Sequence, residues 1–443
     1  MEQFDSDRED VISRARAAGI EAMITIGSDL SGTLKAVELS ERYDFIYASV
    51  GIHPHDAKDF TDETRELLAG LAGKERVVAI GETGLDYHYD HSPRDVQQHI
   101  FERHLELSGE TGLPVVVHSR EAKDDTLRIL RESGITNGVL HCFSGDMDMA
   151  EQVMSMGFCI SIAGPVTFKK ASALQDIASR IPDDYLLVET DAPYLTPDPY
   201  RGRRNEPSYI LNTAMKIAEL RGISLHDLSR ITTLNAKRLF NIGELPGKGE
   251  IAYQIRDSLY LNITNRCTNR CSFCVRYHSD FVKGHNLRLS HEPSADELKK
   301  AIGDPSRFRE VVFCGYGEPL ERLGIVKDVA AWVKQHGGHV RINTNGHGSL
   351  INKRNIVPEL EGLVDSFSIS LDAQDEETYN RICRPCLPDA YKGMLGFIKD
   401  AKGSVPDLQV TVVAMPGVDI ERCREIAAEL GVRFRVRELD VVG

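Results

Sequence analysis

Three cysteines, Cys267, Cys271 and Cys274, stand at C-x3-C-x2-C spacing directly after an apolar run at 258–264. Thiolates converging from so short a loop can hold three irons of a [4Fe–4S] cube and leave the fourth open to an exogenous ligand. A structural zinc ion is the alternative. It needs a fourth tetrahedral ligand, and His278 could supply one. Upstream, Glu82, His118, His141 and Asp191 each follow an apolar stretch. Two imidazoles and two carboxylates suit a divalent ion such as Zn²⁺ or Mn²⁺. A carboxylate such as Glu82 can also bridge two ions, a pair that activates water and stabilises a transferring phosphoryl group. Any one such histidine could instead be a hydrogen-bonded core residue. Four ligand-type residues at four strand ends argue for a shared site.

The elements that must position these groups follow from apolar patterning. Strand candidates lie at 22–26, 45–50, 77–80, 114–117, 138–140, 158–162 and 185–188, with amphipathic helical stretches between them, as at 124–133 and 171–181. Continuous apolar strands separated by helices predict a parallel sheet buried on both faces. Seven strands are legible where a closed (β/α)8 barrel has eight. The chain opens in a helical stretch at 8–18, so the absent strand is the first. The expected fold is α/β: a TIM-barrel-type (β/α)8 domain lacking its first strand. Its polar residues fall at the C-terminal ends of strands, where barrels carry chemistry. His55 there either contacts substrate or caps the next helix. Strand alternation turns Cys142 away from the mouth, into packing. Arg203 and Arg204, in a basic loop at 201–207, either hold a phosphate by forked hydrogen bonds or are solvated.

Five motifs in this region carry a resemblance: Gly-Ile-His-Pro-His (51–55), Glu-Thr-Gly-Leu-Asp (82–86), Leu-His-Cys-Phe-Ser-Gly (140–145), Glu-Thr-Asp-Ala-Pro-Tyr-Leu (189–195) and Arg-Arg-Asn-Glu-Pro (203–207). Residues 1–243 resemble the TatD family of metal-dependent deoxyribonucleases, within the amidohydrolase-like barrels. The resemblance implies phosphodiester cleavage in DNA or nucleotides with Mg, Mn or Zn ions. It implies Glu82, His118 and His141 around one metal, and Asp191 as ligand and water-orienting group at the other. Most members open with a strand ending in a His-x-His pair, which is absent here. Either the start codon is called too late, which would restore that strand and two metals, or the chain is short and one metal site lacks two ligands. We favour the first, because an open barrel exposes two strand edges and its apolar interior.

A Gly/Pro-rich stretch at 244–254 reads as a linker, with a closing helix before it at 232–240. A second domain spans 255–443, with strands at 258–264, 310–313, 339–343, 365–371, 408–414 and 433–435. Helices fit at 295–302, 324–336, 376–380, 390–399 and 420–430. Six strand–helix units predict a partial (β/α)6 barrel, and its strand ends again carry polar loops. The cysteine motif with Phe273, the loop Gly315-Tyr316-Gly317-Glu318-Pro319, the run Asn-Thr-Asn-Gly (343–346) containing Asn345, and Ser370 before Leu-Asp372 resemble the radical S-adenosylmethionine superfamily. That implies a [4Fe–4S] cluster on Cys267, Cys271 and Cys274. It implies S-adenosylmethionine held by residues 315–319, with Phe273, Asn345 and Ser370 as further cofactor contacts. One electron, from a donor such as flavodoxin or ferredoxin, then yields methionine and a 5′-deoxyadenosyl radical that takes a hydrogen atom from substrate. Cys383 and Cys386 form a C-x2-C pair for which metal, redox and packing roles all stay open. Cys314 falls near the mouth, and Cys159 and Cys423 read as core.

Nine cysteines in 443 residues exclude a disulfide framework. No apolar run is long enough for a membrane helix and the N-terminus is no signal peptide, so a cytoplasmic, non-membrane protein is expected. A formal net charge of −14 weighs against broad electrostatic binding of nucleic acid, though a metal-lined cleft can still hold a phosphodiester. Three readings follow. The first is a bifunctional enzyme joining phosphodiester hydrolysis to radical chemistry. The second keeps only the radical domain active, with the first domain as a platform. The third is a zinc-binding nucleic-acid adaptor without catalysis.

Overall fold

Residues 2–245 and 247–439 are described by the computed structural model. The chain divides into two compact units, Met1–Leu245 and Pro246–Gly443. In the first, β-branched and apolar runs form seven strands. These are β1 (Met23–Thr25), β2 (Ile46–Val50), β3 (Val77–Asp86), β4 (Val115–Arg120), β5 (Gly138–Leu140), β6 (Phe158–Ile162) and β7 (Leu186–Val188). They pair in chain order, all parallel, into one curled sheet. Among the described residues β1 and β7 each have a single neighbour, so the barrel lacks an eighth strand. The seven strands and the helix Arg8–Ala17 match the sequence reading within one or two residues, except that β3 and β4 run further, to Asp86 and Arg120.

That extension matters. In β3, Ile80 pairs with Val115 and Thr83 with Val117, so Gly81 and Glu82 together oppose Val116. This is a bulge, which bends a strand and re-aims a side chain. Gly81 and Gly84 both have φ +131, and a Cβ at either would run into the carbonyl of Val116 or His118. Only glycine permits that backbone and that approach.

In the second unit β8 (Ala252–Ile255) and β9 (Ser258–Leu261) form an antiparallel hairpin, and β10 (Phe281–Val282) pairs with β11 (His285–Asn286) in a smaller one. Then follow β12 (Glu310–Phe313), β13 (Val340–Thr344), β14 (Ser366–Ser370), β15 (Asp407–Ala414) and β16 (Arg433–Glu438). The sheet order is β16-β15-β14-β13-β12-β9-β8, and every pair but β8/β9 is parallel. The six parallel strands are the expected partial barrel. β8 was expected to be linker: it is four residues long, lies in Gly/Pro-rich text, and holds its place through cross-strand bonds that no local pattern reveals. Helix ends are chemically marked, as where Ser294 and Glu297 make a reciprocal capping box at Ala295–Ile302.

One buried histidine fixes a mouth loop of the first unit. His104, on the helix Arg94–Thr111, is 1% exposed. Its Nδ1 lies 2.8 Å from Ile100 O, and its Nε2 accepts from Ile52 N at 3.1 Å, one residue before His53. Burial pulls its pKa down from 6.5 to about 4. The unfolded chain therefore takes up a proton near pH 6.5 that the folded chain refuses until about pH 4. Stability from this group is complete above pH 6.5 and is lost as pH falls toward 4. Urea unfolding at pH 7 and pH 5 should show a loss of roughly 2 kcal/mol from His104. A His104→Gln variant should lose distinctly less between the same two pH values. Equal losses in both proteins would contradict this account.

Candidate metal centre and cysteine loop

At the mouth of the first unit, one oxygen collects three imidazoles. Glu82 Oε1 lies 2.9 Å from His141 Nε2, 3.1 Å from His118 Nδ1 and 3.4 Å from His53 Nε2. The bulge in β3, the end of β4, the turn after β5 and the loop after β2 supply these four side chains. Ligand atoms of His53, Glu82 and His118 all lie within 4.8 Å of one another, close enough to share one ion. Burial pushes the Glu82 carboxyl up, but the facing His141, His118 and His53 outweigh it and hold the group well below the usual carboxylate range. Burial likewise disfavours imidazolium at His141, yet Glu82 and Glu189 raise that group well above its ordinary value. Opposite charges thus sit where a cation and neutral imidazoles would fit. The nitrogen and oxygen donors suit Zn²⁺ or Mn²⁺.

A second layer of carboxylates holds the imidazoles. Asp86 Oδ2 lies 3.2 Å from His118 Nε2 and 3.0 Å from His55 Nε2, while Asp86 Oδ1 accepts from His88 N and Tyr89 N. Glu189 Oε1 lies 3.1 Å from His141 Nδ1 and accepts from Cys142 N at 2.6 Å. Such partners fix the orientation of ligating histidines. Burial pushes the Asp191 carboxyl up.

Glu82, His118, His141, Asp191 and His55 all line one cavity of about 2030 Å³. It continues past Tyr47 and Val139 to Phe240, along the interior that an eighth strand would cover. Arg203 and Arg204 are not among its lining residues. Arg204 instead makes a forked pair with Asp7, at 2.9 and 2.6 Å, under the Phe4 ring, and Arg203 lies over Tyr200. Cys142 does line the cavity. The expectation from alternation fails because β5 ends at Leu140 and Cys142 has φ +43. The sequence reading did not assign His53, Asp86 or Glu189. Each lies within two to four residues of an assigned neighbour on the same strand end, so spacing carried the signal.

In the second unit the cysteine loop follows β9. Burial pushes the Cys267 thiol up to about 12 and raises Cys274 as well. Arg276 lies within electrostatic reach of both and donates to Asn269 O at 2.5 Å. The three cysteines stand on one loop and offer three soft sulfur donors. A zinc ion or an iron–sulfur cluster takes donors of this kind.

The glycine loop is clamped beside it. Tyr316 N donates to Asn262 Oδ1 at 3.0 Å and Glu318 N to Arg266 O at 2.7 Å. A Cβ at Gly315 or Gly317 would strike Asn262, or Thr264 and Arg266. Glu318 is buried, and burial raises its pKa to about 7. Its carboxylate accepts from Thr344 Oγ1 at 2.7 Å, Asn345 N at 2.8 Å and Leu320 N at 3.0 Å, which ties the loop after β12 to the end of β13. Asn345 Nδ2 in turn donates to Thr268 Oγ1 at 2.9 Å and reaches Cys267 Sγ at 3.8 Å. Thr268, His347, Tyr379 and Asn269 complete a buried polar chain. Phe273 packs against the core, Pro319 is buried at the start of its 3-10 turn, and Ser370 ends β14 beside Asp372.

A curled parallel barrel with a histidine–carboxylate centre, joined to a partial barrel with a three-cysteine loop, defines a metal-hydrolase domain fused to a radical-enzyme domain. The TatD related DNase family matches residues 1–241, and the chain belongs to it. The radical SAM superfamily matches residues 261–430. An uncharacterised metal-dependent hydrolase, YabD of Bacillus subtilis, is 47% identical over 243 residues, covering 54% of this chain and 95% of its own. The 3′-5′ ssDNA/RNA exonuclease TatD of Cronobacter sakazakii is 39% identical over 245 residues, covering 54% and 93%. The crystal structure of YJJV, a TatD homologue from Escherichia coli, aligns with a TM-score of 0.52 at 30% identity, covering 54% and 94%. No described helix is long and apolar enough to cross a membrane.

Because Asp86 orients His118 without joining the group around Glu82, Asp86→Asn should weaken Mn²⁺ or Zn²⁺ binding by about 10–100-fold. Calorimetric titration of the variant against wild type measures this directly. Unchanged affinity would remove Asp86 from the centre.

Proposed function

We propose that this chain is a bifunctional enzyme of two catalytic domains, which correspond to the units Met1–Leu245 and Pro246–Gly443, working in the cytoplasm. The first hydrolyses phosphodiester bonds of DNA or nucleotides; the second carries out radical chemistry with S-adenosylmethionine. The observation that carries the first half is the convergence of three imidazoles on one buried carboxylate, Glu82. Divalent metal there, held by His53, Glu82, His118 and His141, would supply Lewis acidity and lower the pKa of water. Asp191, which lines the same cavity, would orient that water and accept its proton. His55, hydrogen-bonded to Asp86, faces the substrate. Outside it, Tyr89 is 51% exposed, stacked on His91 at 5.5 Å with the Arg120 guanidinium over its ring. Such a platform suits an unpaired base. Arg203 is the nearer candidate for a phosphate, since Arg204 is engaged by Asp7.

In the second domain Cys267, Cys271 and Cys274 would hold a [4Fe–4S] cluster, which supplies one electron to S-adenosylmethionine when a flavodoxin- or ferredoxin-type donor reduces it. The Gly315–Pro319 loop, Asn345 and Ser370 orient that ligand, and Phe273 excludes water.

Metal-loaded protein should degrade a single-stranded DNA oligonucleotide, and chelation should stop it. Asp191→Asn should lower kcat by about 10²–10⁴-fold, and Tyr89→Ala should raise KM with little change in kcat. An undiminished rate in Asp191→Asn would overturn the assignment. Anaerobic iron and sulfide analysis with electron paramagnetic resonance tests the second domain. A reduced-cluster signal altered by S-adenosylmethionine is expected; zinc without iron, in protein supplied with iron, would contradict it. A loaded cluster with no hydrolysis under any metal would favour a first domain that serves only as a platform.

A further inference from the structure

The side chains of the second sheet divide between two faces. Leu261, Phe313, Ile342, Phe367 and Val410 pack into the core with helix residues such as Val329. The alternate positions are largely polar, among them Arg341 on β13 and Arg433, Arg435 and Arg437 on β16. Neutralisation of these arginines follows a gradient along the strands. At the N-terminal ends, Arg341 is forked onto Glu310 at 3.0 and 2.9 Å, and Arg433 Nε donates to Asp407 Oδ1 at 2.9 Å. Toward the C-terminal ends the pairing fails. Arg437 Nη2 lies 3.7 Å from Asp372 Oδ1, and that buried oxygen has no hydrogen-bond partner. Arg435 is exposed and, among the described residues, has no hydrogen bond or ion pair. In a chain of net charge −14, two guanidiniums here are left without a bonded carboxylate, at the strand ends where barrels of this kind carry chemistry.

We propose that Arg435 and Arg437 form a subsite for the anionic group, a phosphate or a carboxylate, of the second domain's substrate. The inference rests on the radical reading above. Ser370 pairs in register with Thr411, and Thr411 with Arg435, so the three stand in one row. Register partners in a sheet face the same side, and at strand spacing Arg435 is roughly 10 Å from Ser370, the residue assigned above to the cofactor. A small molecule can span that gap, with its anion on the arginine and its reacting C–H toward the cofactor. Val413 pairs with Arg437, one step further along the same face. Same-face positions on a strand are roughly 7 Å apart, so the two planar guanidiniums can close on one oxyanion from two sides. Edge strands also carry charge to discourage pairing with other chains. That role needs no bound anion, so anion protection distinguishes the two.

The test is anaerobic phenylglyoxal labelling of the cluster-loaded full chain in the presence of S-adenosylmethionine, read arginine by arginine by peptide mass spectrometry. Inorganic phosphate and malonate are the two probes, each against sodium chloride at equal ionic strength. Labelling of Arg435 and Arg437 should slow severalfold with one probe or both, while Arg422, on the helix Ile420–Leu430, keeps its rate. Protection by phosphate alone assigns a phosphorylated substrate, and protection by malonate alone a carboxylate. Arg435→Ala, at an exposed position where a substitution costs little stability, should abolish the protection of Arg437. Equal protection of Arg422 overturns the inference, and so does protection of Arg437 that survives Arg435→Ala. A cluster signal that responds to S-adenosylmethionine, in protein whose arginines stay unprotected by both probes, overturns this inference alone. Absence of any [4Fe–4S] signal in wild type overturns the radical reading, and the inference with it.

Discussion

A buried carboxylate needs compensation, and Glu82 is the group whose compensation organises the first unit. Leaving such a charge unpaired in the interior would cost several kcal/mol. Three imidazoles meet it, brought by strand ends and loops widely separated in sequence. The bulge in β3 aims the carboxylate, the glycines at 81 and 84 allow the backbone to pass β4, and His104 fixes the loop that carries His53. Asp86 and Glu189 then orient two of the imidazoles from behind. The geometry of the site is set locally, by the bulge in β3 and the strand ends and loops beside it.

The second unit uses the same placement at the C-terminal ends of parallel strands, but a different compensation. Glu318 is satisfied by a hydroxyl and backbone amides instead of cations, and so becomes a staple between loops. Through Asn345 and Thr268 that staple reaches Cys267, and the 382–386 segment makes a separate set of backbone bonds to Thr268, Arg270 and Ser272, on either side of Cys271. The cysteine loop is held from both sides before any metal is considered.

Much of this was legible in the sequence because parallel strands buried on both faces read as continuous apolar runs. Val115–Val117 and Phe158–Ile162 are examples, and their polar termini name the site. Glu82, His118, His141 and Asp191 come to one cavity on that logic. Three expectations failed. The hairpin strand β8 has four residues and depends on cross-strand pairing with β9. Cys142 lies past the end of its strand, where alternation no longer applies. Arg204 looked free for phosphate, but its partner Asp7 is 197 residues away in sequence, a distance no local motif reports. His53 and Glu189 escaped for a milder reason: each stands two residues from a more conspicuous neighbour.

Anomalous diffraction from crystals soaked in Mn²⁺ tests the central claim most directly. A peak within about 2.0–2.3 Å of a Glu82 oxygen and of imidazole nitrogens from His53, His118 or His141 is the predicted result. Strong binding with no peak at Glu82, or a peak only at carboxylates elsewhere on the surface, would contradict it.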